Sequence, residues 1–177
     1  MTTEPQRPSG RADILTLLGV AALVLVADQL TKLAIVASIP FGDSVPVIGD
    51  LLILWHVRNT GAAFSLFEGG LVLFIVVTVV ALGMVAYFHR SFLGRSRWFQ
   101  VILGVILGGT LGNFADRLRQ GYVTDFVSVG FGDTRFPTFN VADSAVVCGI
   151  GLLVIILTFF SPEAGERAAA GHTEVST

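Results

Sequence analysis

The sequence predicts an α-helical integral membrane protein with four transmembrane helices and a small extracytoplasmic β element. Three observations carry that expectation. Apolar residues make up 53% of the 177 residues and charged residues 14%, against roughly 25% charged in soluble domains; the mean hydropathy is +0.78. Four apolar segments, at about 14–39, 71–88, 98–115 and 141–160, each approach the roughly 20 residues that a spanning helix needs. Between the first two lies Leu51-Leu-Ile-Leu-Trp55-His-Val57, a short, partly β-branched apolar run. Pro46, Gly49 and Asp50 punctuate its start and Gly61 follows it, which is the pattern of a strand on the membrane surface.

The first segment follows a polar start carrying Arg7 and Arg11. It is long for a signal-peptide core and lacks a clear small-residue cleavage site, so it reads as a retained helix. Its second half carries Asp28 and Lys32. The third segment opens on Trp98, suited to an interfacial anchor. It repeats glycine at 104, 108 and 112, a small-residue face that lets membrane helices approach closely. Residues 1–160 form one four-helix domain on this reading. Residues 161–177, rich in Ala, Glu, Gly and Thr, form a mobile cytoplasmic tail.

Arg90, Arg95 and Arg97 lie between the second and third segments, and Arg167 lies in the tail. The positive-inside rule places these flanks in the cytoplasm with both termini. The linkers 40–69 and 117–140 then share the outer face. Arg58, Arg117, Arg119 and Arg135 on that face make the bias modest.

Composition excludes several classes. The net charge of −2 offers no basic excess for nucleic acid. One cysteine, Cys148, allows no disulfide framework. His56, His89 and His172 have no metal-ligand spacing. No phosphate-binding glycine motif and no serine with an evident histidine partner occurs. The expectation is that neither metal nor cofactor is used.

What remains is a set of carboxylates at the ends of apolar segments. Such groups are costly near lipid and mark functional sites. Asp28 and Lys32, four apart, share a helix face and can pair, either as a structural ion pair or as support for a site. Asn113 and Asp116 are three apart, as are Asn140 and Asp143, so each pair projects from one helix face. With alternating spans, the third segment ends where the fourth begins, at one membrane level. Asp125 lies in the linker between and can fold back. The competing reading is that Asn140 caps the fourth helix and Asp143 complements its dipole.

Two carboxylates a few ångströms apart do not both ionise easily, so one keeps a proton and one loses it. The ionised member can take a proton from water as the water attacks a carbonyl. The protonated member can hydrogen-bond the carbonyl oxygen and then protonate the leaving amine. Spacing leaves open which two of Asp116, Asp125 and Asp143 form the pair.

Five blocks carry a family resemblance: Asp28-Gln-Leu-Thr-Lys32, Arg58-Asn59-Thr-Gly61-Ala62-Ala63-Phe64-Ser65, Gly108-Gly-Thr-Leu-Gly112-Asn113-Phe-Ala-Asp116-Arg117, Gly121-Tyr-Val-Thr-Asp125-Phe126 and Phe139-Asn140-Val-Ala142-Asp143-Ser144. In this order the chain resembles signal peptidase II, the lipoprotein signal peptidases, which are bacterial membrane aspartyl endopeptidases. The resemblance implies Asp125 and Asp143 as the catalytic aspartates. It implies supporting or substrate-binding roles for Asp28, Lys32, Asn59, Asn113, Asp116, Arg117 and Asn140. It further implies diacylglyceryl-modified prolipoprotein substrates cleaved just before the lipidated cysteine, globomycin-type inhibitors, and an active site near the outer face of the bacterial cytoplasmic membrane. The expected partners are those substrates and membrane lipids, with the chain a monomer.

Two rivals use the same features. A metal-dependent membrane phosphotransferase also clusters aspartates near an interface. The second rival is a non-enzyme, a small transporter or assembly subunit; the absence of a repeated half or of broken helices argues against a secondary transporter.

Overall fold

The computed structural model describes residues 10–61, 70–92 and 97–159. The element order is α1 (Gly10–Ser38), β1 (Ser44–Ile48), β2 (Leu52–Asn59), α2 (Gly70–Ser91), α3 (Arg97–Gln120), β3 (Val123–Phe131), β4 (Thr134–Arg135) and α4 (Val141–Phe159). Among the described residues, four helices are long and apolar enough to cross a membrane. The tail 161–177, residues 62–65 of the second motif block, and Arg7, Arg95 and Arg167 lie outside the described residues.

The bundle is apolar outside, as lipid requires. Leu15, Leu23 and Leu30 of α1 and Val147 and Val154 of α4 are exposed, an arrangement that water would penalise. Inside, α3 is the axis. Its glycines bring backbones together: a Cβ on Gly104 or Gly108 would lie 2.6 Å from the carbonyl oxygens of Leu17 and Ala21 on α1, and one on Gly109 would lie 2.5 Å from that of Ala142 on α4. This is close packing through small residues. Leu17, Phe99, Leu103, Ile106 and Leu153 fill the core towards the start of α1 and the end of α4.

Helix α3 runs to Gln120, past the end of its apolar segment near residue 115, so Asn113, Asp116 and Arg117 all stand on helix. Gly121, with φ +78°, ends it by donating its N–H to the Arg117 carbonyl at 3.0 Å, a left-handed cap. The chain turns directly into β3.

The four strands form one antiparallel sheet in the order β1-β2-β3-β4. The sequence predicts a strand in the 40–69 linker; the sheet also recruits 123–131, inside the linker expected over 117–140. Val57 pairs with Asp125 and Asn59 with Val123, beyond a register shift between Leu54 and Val57. Ile35 of α1 and Ile39 just past its end pack with Phe126, and with Leu54, Val127 and Val141 around them. The sheet is thereby fixed to the bundle at the end where α3 stops and α4 starts. Buried His56 adds a pin, its Nδ1 lying 2.8 Å from the Ile39 carbonyl oxygen.

Candidate active site

Two groups of polar side chains meet at that end of the bundle. The first lies between α1 and α3. The Lys32 ammonium is 2.8 Å from Asp28 Oδ2 and 2.9 Å from Asp116 Oδ2, and all three residues are buried. Spacing four along α1 supplies the first contact; the close approach of α3 supplies the second. Gln29 Nε2 donates to Asp28 and to Asp116, each at 3.1 Å. The other Asp28 oxygen accepts the Ala142 N–H at 3.0 Å, one of the donors that a helix start leaves without an intrahelical partner. Asp28 therefore holds Lys32 on one side and the first turn of α4 on the other.

The second group joins β3, α4 and β2. Asn140 precedes α4 and caps it: its Oδ1 accepts the Asp143 N–H at 2.9 Å, and Asp143 Oδ2 accepts the Asn140 N–H at 3.1 Å. This is the reciprocal geometry of a capping box. The same Asn140 donates its amide to Asp125 Oδ1 at 2.7 Å. Asn59 donates to Asp125 Oδ2 at 2.8 Å, and Asn113 donates to Asp143 Oδ1 at 2.7 Å. Capping and assembly of a carboxylate site are here one set of bonds. Each of these four carboxylate oxygens holds one of these donors, and an ionised carboxylate has about four lone-pair sites, so room remains for a proton or a water.

Asn113 links the groups. Its Oδ1 accepts from Lys32 at 3.0 Å and from Asn140 at 3.1 Å. An ammonium only donates, so Lys32 fixes which way this amide points and leaves its N–H₂ to face Asp143. One connected network thus holds Asp28, Lys32, Asp116, Asn113, Asp143, Asn140, Asp125 and Asn59. Arg117 stands beside it, donating to the Asn113 carbonyl at 3.4 Å, with its guanidinium 3.8 Å from the Phe74 ring centroid.

Electrostatics separate the groups. Asp28 and Asp116 share a cation. Asp125 and Asp143 are held by amides and a backbone N–H. Burial pushes the Asp125 carboxyl up from its ordinary value to about 6, and the nearby Asp143 charge adds to this, while the bonds from Asn59 and Asn140 and the charge of Lys32 oppose it. A cleft of about 260 Å³, lined by Val57, Arg58, Asn59, Thr60, Asp125, Pro137 and Thr138, opens onto Asp125.

All nine residues singled out in the sequence lie at this end. Sequence reasoning does not single out Gln29, although it stands beside Asp28 in the first motif block. It also misses Phe74, which carries no local mark inside an apolar run. Arg58, between the rings of Phe41 at 4.4 Å and Tyr122 at 4.9 Å, likewise receives no role from the sequence.

The chain is similar to known proteins over most of its length. The family described as signal peptidase (SPase) II matches residues 20–160. A lipoprotein signal peptidase of Shouchella clausii is 42% identical over 136 residues, 77% of this chain and 88% of that protein. One of Dehalococcoides mccartyi is 48% identical over 138 residues, 75% of this chain and 83% of that protein. A solved structure described as a bacterial membrane enzyme superposes with a TM-score of 0.73 at 34% identity, covering 80% of this chain and 92% of that one.

Proposed function

This chain belongs to the signal peptidase II family of aspartic peptidases, and on that premise we propose that Asp125 and Asp143 are its catalytic dyad, hydrolysing the bond just before the lipidated cysteine of diacylglyceryl-modified prolipoproteins. The protein is a multi-pass bacterial membrane peptidase that removes signal peptides from lipoproteins. The carrying observation is Asn140, which donates its side-chain amide to Asp125 and its backbone N–H to Asp143. It holds a strand carboxylate and a helix carboxylate around one point.

In this reading Asp125 holds the proton. With its carboxyl at about 6, roughly one site in ten is protonated at pH 7, and a bound substrate that excludes water raises that share. Asp125 then hydrogen-bonds the scissile carbonyl oxygen. Asp143 takes a proton from the attacking water, and the proton on Asp125 passes to the leaving amine. The pair titrates together, so a pH profile reports macroscopic values for both. Asn59, Asn113 and Asn140 orient the carboxylates. Arg117, stacked on Phe74, is placed to donate to substrate carbonyls. Asp28, Lys32 and Asp116 position Asn113 and the start of α4.

A lipidated substrate would sit in the outer leaflet, at the depth of the outer ends of α3 and α4, with both termini of the chain cytoplasmic. Globomycin-type compounds are expected to compete at the cleft beside Asp125. The reading includes neither metal nor cofactor: the ammonium of Lys32 already sits between two of the carboxylates that a cation would seek.

The test is cleavage of a diacylglyceryl-modified prolipoprotein peptide in detergent with EDTA. Wild type should cleave, and Asp125→Asn and Asp143→Asn should each lose about 10²–10⁴-fold in kcat while their unfolding transitions stay cooperative. A dead Asp116→Asn beside an active Asp125→Asn would reassign the dyad. Silencing by EDTA would replace it with metal chemistry.

A further inference from the structure

Helix α2 packs on α3 and leaves a groove on each flank. Towards α4 the groove is about 210 Å³ and its lining is wholly apolar. Towards α1 it is about 420 Å³, and His89 and Arg90 line it at the end of α2. The α1 wall of the larger groove, Ile14 and Leu17, leads at spacings of three and four through Ala21 to Asp28 and Lys32; the walls of the smaller groove lead to Asp143.

On α4 the wall residues Ile150, Val154 and Leu157 belong to a stripe spaced three and four apart, which continues through Val147 to Asp143. On α3 the wall residues Leu103 and Ile106 continue at the same spacing through Thr110 to Asn113 and Arg117. On α2, Phe88, Met84 and Ala81 continue towards Phe74, the ring on which Arg117 stacks. Residues at such spacing share a helix face. The three faces that wall the apolar groove therefore end, at their outer turns, on the residues of the site.

We propose that this groove between α2, α3 and α4 receives the apolar helical segment of the substrate's signal peptide and delivers the scissile bond to Asp143. The inference rests on the peptidase reading above and names its docking track. Lengths agree: from Asp143 to Leu157, α4 rises about 21 Å, and the apolar core of a signal peptide, about 7–15 residues, spans about 10–22 Å as a helix. Charge discriminates between the flanks. The positively charged start of a signal peptide would meet Arg90 in the α1-side groove, whereas among the described residues Phe88 and Leu157 end the α4-side groove without charge.

The test is photocrosslinking with benzoylphenylalanine in an Asp125→Asn background, using a full-length diacylglyceryl-prolipoprotein in vesicles. Probes replace Ile150 and Met84 in the proposed track, and Leu18 and Leu82 in the other groove. The expected result is adducts mapping to the apolar signal segment from positions 150 and 84, at least fivefold above those from 18 and 82. Equal or stronger adducts from 18 and 82, adducts with phospholipid alone, or no substrate adduct at all would overturn the docking track. Cleavage of the same substrate by wild type is measured alongside. Its failure would overturn the peptidase reading itself, separately from the track.

Discussion

Asp28 and Asp116 differ from Asp125 and Asp143 in company, not in kind. The first two share the Lys32 ammonium at 2.8 and 2.9 Å. The second two rest on neutral amides and a backbone N–H. In the proposed reading, the carboxylates that share the buried cation serve as a joint, whereas Asp125, which burial raises to about 6 against the pull of its amide donors, is the one placed to carry a proton. An aspartate near lipid is costly in either case; its partner decides what it does there.

The largest effect expected from this contrast is on folding. Lys32→Met removes the cation that two buried carboxylates share, leaving only Arg119, 3.6 Å from Asp116, and should cost about 3–5 kcal/mol. Replacing the whole group, as Asp28→Asn, Lys32→Met and Asp116→Asn together, should recover most of it. Thermal unfolding in detergent measures both. A Lys32→Met protein that is inactive yet fully stable would break the contrast, because the ammonium would then act in the chemistry.

Next comes the pH dependence of stability. The folded-state carboxyl of Asp125 lies at about 6, above its ordinary 3.8. Its contribution is therefore full below about pH 4 and is lost as pH rises through about 6, at most about 3 kcal/mol. Wild type should lose stability over this window by more than Asp125→Asn does. Equal slopes in urea titrations of the two proteins would remove Asp125 from the account.

Gly112 lies between Asp28 and the first turn of α4. A Cβ there would lie 2.5 Å from Asp28 Oδ2 and 3.4 Å from the Ala142 side chain. Gly112→Ala should cost about 1–3 kcal/mol in stability. It should also lower kcat by up to about 10²-fold, because displacing Asp28 moves the turn of α4 that carries Asp143. A stability loss with kcat intact would show that the groups are not mechanically joined.

How much of this is legible in the sequence depends on range. The Asp28–Lys32 pair and the capping role of Asn140 are local, and spacing along one helix yields them. That the ends of α3 and α4 share a level follows from alternating spans. What escapes is what only the folded chain brings together. Val123-Thr-Asp-Phe-Val-Ser-Val breaks the period of two, with Thr124 beside Asp125 and Phe126 beside Val127; the polar residues are buried all the same, and only the folded chain gives them partners. Helix α3 outruns its apolar segment by about five residues because the polar turns beyond residue 115 find partners in the site rather than in lipid. Phe74 reads as one more lipid-facing residue until Arg117 is seen stacked on it.

The smallest effect is the sharpest probe of the contrast. Asn59 is exposed and donates to Asp125 Oδ2 at 2.8 Å, a bond that holds the carboxyl below the value burial alone would give. Asn59→Ala should leave the unfolding temperature within a few degrees, since little packing is lost. It should move the alkaline limb of the kcat/KM profile to higher pH, by about one unit or less, because Asp125 then keeps its proton longer. The matching control is Gln29→Ala, which removes a neutral donor from the carboxylates around Lys32 and should leave that limb in place. Movement of the limb in Gln29→Ala but not in Asn59→Ala would reverse the roles of the two carboxylate groups.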